Sequence, residues 1–299
     1  MTTNPRGPLP VVKTVAELRA KVAELRRAGR SIGLVPTMGA LHAGHTSLVD
    51  ASRQRCGATI VTIFVNPLQF GPSEDFARYP RTLSADLEKL AAAGADLVFA
   101  PEPGEVYAAN HATYVNVEGI SQVLEGRSRP IHFRGVATVV LKLFNMVTPD
   151  VAFFGQKDYQ QTLVIRRMTA DLDLPIEIVV RATVREPDGL AMSSRNAYLS
   201  ADERRRALAL SQALERGAQV VAGGERDVAA VERAMREVID RAGGGEIDYL
   251  LLADRETLAP AQDPRGAVMA LVAARVGATR LIDNRVIEFR NTPAMEAEG

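Results

Sequence analysis

Cysteine is nearly absent from this chain of 299 residues, where Cys56 stands alone. One thiol excludes an internal disulfide and a thiolate metal cluster, and it suits a reducing compartment. Net charge is absent too, with 36 acidic residues against 36 basic ones. No overall field therefore favours nucleic acid or a membrane surface, although a small nucleotide stays open as a ligand. No apolar stretch reaches the roughly 18 residues of a bilayer span. The first ten residues are polar and proline-rich, without the apolar centre of a secretory signal. Internal repeats and low-complexity tracts are also lacking. Together these absences point to a cytoplasmic enzyme for small molecules, with neither nucleic acid nor membrane as partner. Lysine is scarce as well: only Lys13, Lys21, Lys89, Lys142 and Lys157 occur, so arginine supplies the other 31 of the 36 positive charges. Each lysine thus raises the question of whether a compact ammonium is needed at its position, although coding bias gives the same count.

The hydrophobic fraction of 46% and charged fraction of 24% are those of an ordinary globular enzyme. Its length predicts two domains. Apolar residues Val15, Leu18, Val22 and Leu25 recur at helical spacing within 14–30. Runs at 31–35 and 58–65 read as buried strands, those at 96–100 and 150–154 as further strands, and 176–180 as a strand candidate. Helices are predicted between them, after His45 to about Cys56, over 83–93, 135–147 and 159–172. Such alternation specifies a Rossmann-like α/β fold, a doubly wound parallel sheet with helices on both faces. The composition changes after Arg185. Helical segments at about 201–222 and 226–242 precede strand-like runs at 247–252, 267–275 and 280–289. A first domain over 1–184 and a smaller α+β domain over 185–299 are therefore expected, with a disordered acidic tail at 293–299.

The chemistry gathers where strands end. Pro36-Thr37-Met38-Gly39-Ala40-Leu41-His42-Ala43-Gly44-His45 follows the 31–35 strand and opens a helix, where N–H groups attract phosphate. Imidazoles there can donate to oxygens as charge builds on a leaving pyrophosphate. The alternative is that one or both rings only cap the helix or fill core hydrogen bonds; no nearby carboxylate or cysteine completes a metal set. The segment Phe154-Gly155-Gln156-Lys157-Asp158-Tyr159-Gln160-Gln161 places Lys157 in the first turn of the next helix, where an anionic ligand would relieve its conflict with the helix dipole. Lys157 can equally be a surface charge, and Asp158 a simple helix start. Gln161, one turn on, can reach the same cleft. Met192-Ser193-Ser194-Arg195-Asn196 offers hydroxyls and a guanidinium for a mobile phosphate clamp, or a helix lead-in. Asn66 and Gln69 carry amides suited to hydroxyl and carboxylate groups, unless Asn66 bonds its own backbone in a proline-fixed turn.

These motifs, together with Tyr79-Pro80-Arg81 and His132-Phe133-x-Gly135-Val136, occur in order over about 13–290. They closely resemble the pantothenate synthetase (pantoate–β-alanine ligase) family of the His-x-Gly-His nucleotidylyltransferase superfamily. The chain departs from that family's pattern at Gln156, where the family usually has glutamate. The resemblance implies ATP-dependent condensation of pantoate with β-alanine to pantothenate, AMP and pyrophosphate, through a pantoyl adenylate. It implies that His42, His45 and Lys157 stabilise the transferring phosphate. ATP would further be held by Pro36, Thr37, Met38, Gly39, Gly44, Gly155, Gln156, Asp158, Val184, Met192, Ser193, Ser194 and Arg195. Gln69 and Gln161 would hold pantoate, with Asn66 nearby. Mg²⁺ would be carried mainly by the ATP phosphates, with Asp86 as an outer contact, and the assembly would be a homodimer. The polar segment 71–81 is expected to close over the reactive intermediate. Two other readings compete: a nucleotidylyltransferase for a phosphate-ester acceptor, and a non-catalytic nucleotide-binding module.

Overall fold

A computed structural model describes residues 8–72 and 74–289; the tail expectation at 293–299 lies outside them. The chain divides into two compact units, one of residues 1–184 with 192–194, the other of 185–191 with 195–299.

The first unit runs β1 (Val11–Val12), α1 (Val15–Arg27), β2 (Ile32–Thr37), α2 (Ala43–Arg55), β3 (Ala58–Ile63), α3 (Leu83–Ala93) and β4 (Leu97–Phe99). It continues with α4 (Pro103–Val106), α5 (Glu125–Ser128), α6 (His132–Val147), β5 (Val151–Gly155), α7 (Tyr159–Asp171) and β6 (Glu177–Arg181). The six strands form one parallel sheet in the order β1-β4-β3-β2-β5-β6. Its connections are helical because adjacent parallel strands need a long crossover. Strand alternation divides the core. Ile32, Leu34, Ile60, Phe99, Ala152 and Phe154 pack with α1, α6 and α7 on one face, while Val35, Val61, Val98 and Phe153 pack with α2 and α3 on the other. Burial on both faces is why these strands read as continuous apolar runs.

The strand order reverses between β2 and β5. From β2 the chain steps outward through β3 and β4, and β5 then returns to the opposite side of β2. At such a switch point the loops leaving the two strands diverge and leave a crevice at their carboxyl ends.

One strand was not anticipated, and one helix start is corrected. The pair Val11–Val12 forms an edge strand beside β4, too short to show alternation. Helix α6 starts at His132 rather than Gly135. Gly135 reads as a helix start, yet it lies inside the first turn, at a point where a Cβ would sit 2.3 Å from the Leu68 carbonyl oxygen. The glycine permits that close packing.

The second unit contains α8 (Ala201–Ala222), α9 (Val228–Arg241), β7 (Glu246–Ala253), β8 (Gly266–Val276) and β9 (Thr279–Phe289). Its three strands pair antiparallel in the order β7-β8-β9. Leu210, Leu214, Met235 and Ile239 of the helices bury against Leu252, Val272 and Ile287 of the sheet. The strongly buried Asp283 receives both Nη1 and Nη2 of Arg185, at 2.6 and 2.9 Å, a forked pairing that fixes the start of 185–191 on the sheet.

Candidate active site

The loop leaving β2 is built around left-handed backbone: Gly39 has φ +82° and Ala40 has φ +50°. An alanine in that region costs about 1 kcal/mol or more and needs support from its surroundings. Asp86 provides it. Its side chain is fully buried in the first turn of α3. Oδ2 accepts from Ala40 N–H at 2.9 Å and Oδ1 from Leu41 N–H at 2.8 Å. Thr82 Oγ1 donates to the same Oδ2 at 3.1 Å, and Lys89 Nζ, one turn along α3, donates to the Leu41 carbonyl at 2.6 Å. With three donors engaged and no exposure, Asp86 is placed to hold the turn rather than to serve as the outer metal contact expected of it. Only the fold brings α3 to this turn, so its role was not legible in the sequence. Lys89, however, belongs to the scarce lysines.

His42 is the N-cap of α2. Its Nδ1 accepts from Gly44 N–H, while its own N–H donates to His45 Nδ1, both at 3.2 Å. The two rings therefore cap the helix with one nitrogen each, filling the role that serine and glutamate fill in a capping box. A Cβ on Gly44 would lie 2.9 Å from the His42 ring, so the middle residue must be small. With Nδ1 of each ring accepting, the neutral tautomer carries its proton on Nε2, the nitrogen away from the capped backbone. Capping and catalysis are not alternatives here, because one ring nitrogen serves each. The ring centroids are 4.1 Å apart. Burial, reinforced by neighbouring His42, pushes His45 down to about 3, against an opposing pull from Asp158; Lys157 and Lys89 lower it further. His45 is thus a neutral donor at physiological pH.

At the end of β5, Gln156–Asp158 forms a single 3-10 turn before α7. Lys157 lies in that turn rather than in the first turn of the helix. Its Nζ lies 3.3 Å from Asp158 Oδ1. The structure thus sets His42 and His45 beyond β2 and Lys157 beyond β5, on either side of the switch point. Ser194 Oγ donates to the Ala40 carbonyl at 3.0 Å, and Met192 N–H donates to the Val184 carbonyl at 3.0 Å. The Met192–Ser194 stretch is therefore tied to the histidine turn. Arg195 belongs to the second unit. Within that unit, Asn196 Nδ2 donates to Glu186 Oε1 at 2.7 Å and to the Ala191 carbonyl at 3.0 Å.

The amide residues separate by role. Asn66 is 1% exposed. Its Oδ1 accepts from Leu68 N–H and Tyr107 O–H, and its Nδ2 donates to Gln69 Oε1 and the Gly135 carbonyl. All four of its hydrogen bonds are therefore spent on protein. The expectation that Asn66 helps hold a ligand gives way to an orienting role, with both the Pro67 turn and the tertiary contacts in use. Gln69 Nε2 lies 3.1 Å from Met38 Sδ, a weak acceptor that leaves it able to donate to a ligand. Gln161 is half-buried in the first turn of α7. Its neighbour Gln160 is buried and tethers 120–125, donating to the Ile120 and Val123 carbonyls and accepting from Glu125 N–H.

Residues 71–81 are more anchored than their polar composition predicts. Phe70 packs against Phe76 and Tyr79, and Arg129 Nε donates to Glu74 Oε1 at 3.0 Å. Burial raises the Glu74 carboxyl, but Arg129 outweighs it and holds the carboxyl low. Arg129 Nη1 faces His132 Nε2 at 3.3 Å and can only donate. His132 Nδ1–H therefore donates to the Gln69 carbonyl at 3.0 Å, and burial together with Arg129 pushes His132 down to about 4. Glu74 and Arg129 were not singled out in the sequence, and His132 entered only within the motif 132–136, with no role assigned.

The two depressed histidines predict a stability slope. The unfolded chain protonates them near 6.5, while the native state resists until about 3 for His45 and about 4 for His132. Between pH 6.5 and 5 the unfolded state binds more protons, so stability falls as pH falls. The limit is about 1.4 kcal/mol per pH unit per group; above 6.5 neither contributes. Urea titrations at pH 7, 6 and 5 measure this slope, and His132→Asn is expected to remove about half of it. An unchanged slope in that variant would place the proton uptake elsewhere.

The sequence profile of the Pantoate-beta-alanine ligase family matches residues 10–286. A pantothenate synthetase of Moorella thermoacetica is 56% identical over 281 residues, covering 94% of this chain and 99% of that one. Pantothenate synthetase 1 of Bradyrhizobium diazoefficiens is 53% identical over 93% of this chain and 98% of its own. The crystal structure of pantothenate synthetase from Thermus thermophilus superposes with a TM-score of 0.89 at 47% identity, covering 93% and 99% of the two chains. A pantoate-beta-alanine ligase from Francisella tularensis, solved with beta-gamma ATP and beta-alanine, gives 0.77 at 30% identity over 93% and 97%. With a match of this extent in both sequence and fold, the chain belongs to the pantoate-β-alanine ligase family.

Proposed function

We propose that this protein condenses (R)-pantoate with β-alanine at the expense of ATP, through a pantoyl adenylate, at the carboxyl ends of β2 and β5. The observation that carries the site is the placement of His42 and His45 on one side of the switch point and Lys157 on the other.

In the first half-reaction a pantoate carboxylate oxygen attacks the α-phosphorus, and the bond to the bridging oxygen breaks as pyrophosphate leaves. Neutral Nε2–H groups of His42 and His45 donate to the oxygens on which charge builds, and the Lys157 ammonium offsets it. Ser193, Ser194 and Arg195 bind the phosphates, and the backbone near Val184 and 155–158 takes the adenine. Gln69 and Gln161 hold pantoate with its carboxylate in line. In the second half-reaction the β-alanine amine attacks the acyl carbon, the carbon–nitrogen bond forms, and AMP leaves with the former carboxylate oxygen. No enzyme-bound covalent intermediate is needed.

ATP enters as its magnesium complex. Among the described residues no group of three or more His, Cys, Asp or Glu is placed to hold a metal ion. In this proposal the cation would be carried mainly by the ATP phosphates, whose charge it would offset, and no step is assigned to a protein ligand. Among the described residues no helix is long and apolar enough to cross a membrane. A cytoplasmic homodimer completes the proposal, and sedimentation equilibrium tests the dimer.

The reaction predicts exchange of labelled pyrophosphate into ATP only when pantoate is present, with AMP as the final nucleotide. It also predicts that ¹⁸O from the pantoate carboxylate appears in AMP. Exchange without pantoate, or ADP as product, would overturn it. Turnover with phosphopantetheine or nicotinamide mononucleotide in place of pantoate would favour a phosphate-ester acceptor instead.

A further inference from the structure

We infer that Tyr107 is a positioning residue for pantoate: its phenol hydroxyl, acting through Asn66, reinforces the orientation in which the Gln69 amide faces the substrate. The inference rests on the proposal that Gln69 binds pantoate.

Tyr107 follows α4 and is half-buried, with its ring 6.1 Å from that of Phe64. Its hydroxyl lies 2.8 Å from Asn66 Oδ1. An amide oxygen only accepts, so the phenol donates. Burial, with Tyr114 nearby, raises this phenol far above the physiological range, so it keeps its proton. The backbone independently settles which end of Asn66 is oxygen: Leu68 N–H donates to Oδ1 at 3.3 Å, and Nδ2 donates to the Gly135 carbonyl at 3.1 Å. The second Nδ2 proton then goes to Gln69 Oε1 at 3.0 Å. This commits the oxygen of Gln69 to Asn66 and turns its NH₂ toward Met38 Sδ.

A thioether is too weak an acceptor to satisfy that NH₂. The donors of Gln69 therefore remain for oxygens of a ligand, and pantoate brings a carboxylate and hydroxyls. The opposite amide sense would set Oε1 against a carboxylate, two acceptors facing each other. The chain Tyr107–Asn66–Gln69 thus transmits one proton orientation from a phenol that does not touch substrate to an amide that does. Without the phenol, Asn66 Oδ1 keeps only the longer bond from Leu68, so the sense that the backbone sets is held less firmly and Gln69 is less tightly oriented.

The test is Tyr107→Phe, which removes one oxygen and keeps the ring packing. Pyrophosphate exchange is measured against pantoate and ATP in turn. The expected result is a rise of about 3- to 10-fold in KM for pantoate, the size of one lost hydrogen bond. The KM for ATP, and the rate at saturating pantoate, stay within about twofold. A purely structural loss would reduce the active fraction and lower the rate while leaving both KM values alone, and that result would overturn the inference. Gln69→Ala separates the inference from the reading beneath it. If this variant alone leaves the pantoate KM unchanged, Gln69 does not bind pantoate and the underlying reading fails. If it raises that KM, and adding Tyr107→Phe raises it further by the single-variant factor, the two residues act independently and only the inference fails. Coupling predicts little further rise in the double variant.

Discussion

Replacing His45 by alanine is expected to lower kcat for pantoate-dependent pyrophosphate exchange by about 10²- to 10³-fold, the usual cost of one preorganised donor to a developing oxyanion. The neutral Nε2–H of His45 gains most when the α-phosphate carries its transition-state charge, so KM for ATP is expected to change by only a few fold. His45→Asn distinguishes the two nitrogens. Its amide can copy the Nδ1 contact that accepts from His42 N–H but cannot reach as far as Nε2. The asparagine variant should therefore recover stability without recovering rate. Since burial and His42 hold His45 at about 3, the parent rate should show no inflection from His45 between pH 5 and 8. Full turnover by His45→Ala would leave the ring as a helix cap alone.

Asp86→Ala is expected to cost both stability and rate. It strips the acceptors from Ala40 and Leu41 N–H in a buried setting, and each orphaned group costs about 1–3 kcal/mol. A loss of about 3 kcal/mol in urea unfolding is expected. The left-handed Ala40 then loses its main restraint, and His42 begins one residue past Leu41, so kcat should fall by about 10-fold or more even where the protein is fully folded. Asp86→Asn, with one oxygen and one NH₂ against two N–H donors, should fall between. An unchanged kcat in folded Asp86→Ala would show that the turn does not set the histidines.

The sequence carried the fold well because burial leaves its mark locally. Parallel strands covered on both faces are predominantly apolar, and amphipathic helices repeat with their own period, so the alternation over 31–181 could be read directly. The edge strand at Val11–Val12 escaped because two residues carry no period. Gly135 misled because a glycine required by close packing looks the same in sequence as one that starts or stops a helix.

The histidine turn was legible because its chemistry is contiguous, with both rings, the glycines and the helix start lying within ten residues. The parts that hold it were not. Asp86 grips the turn from 45 and 46 positions away, and Tyr107 reaches Asn66 across 41. Neither spacing has any signature, because tertiary contacts are set by how helices cross the sheet and not by a local period. By itself, then, the sequence determined the strand–helix alternation, the family and the candidate residues at the strand ends. Only the tertiary structure decided that Asp86 is a buried acceptor, that the Asn66 amide is engaged by four protein partners, and that Lys157 sits in a turn ahead of its helix. Each of those depends on which backbone donors and acceptors packing brings within about 3 Å, and chain order does not encode that distance.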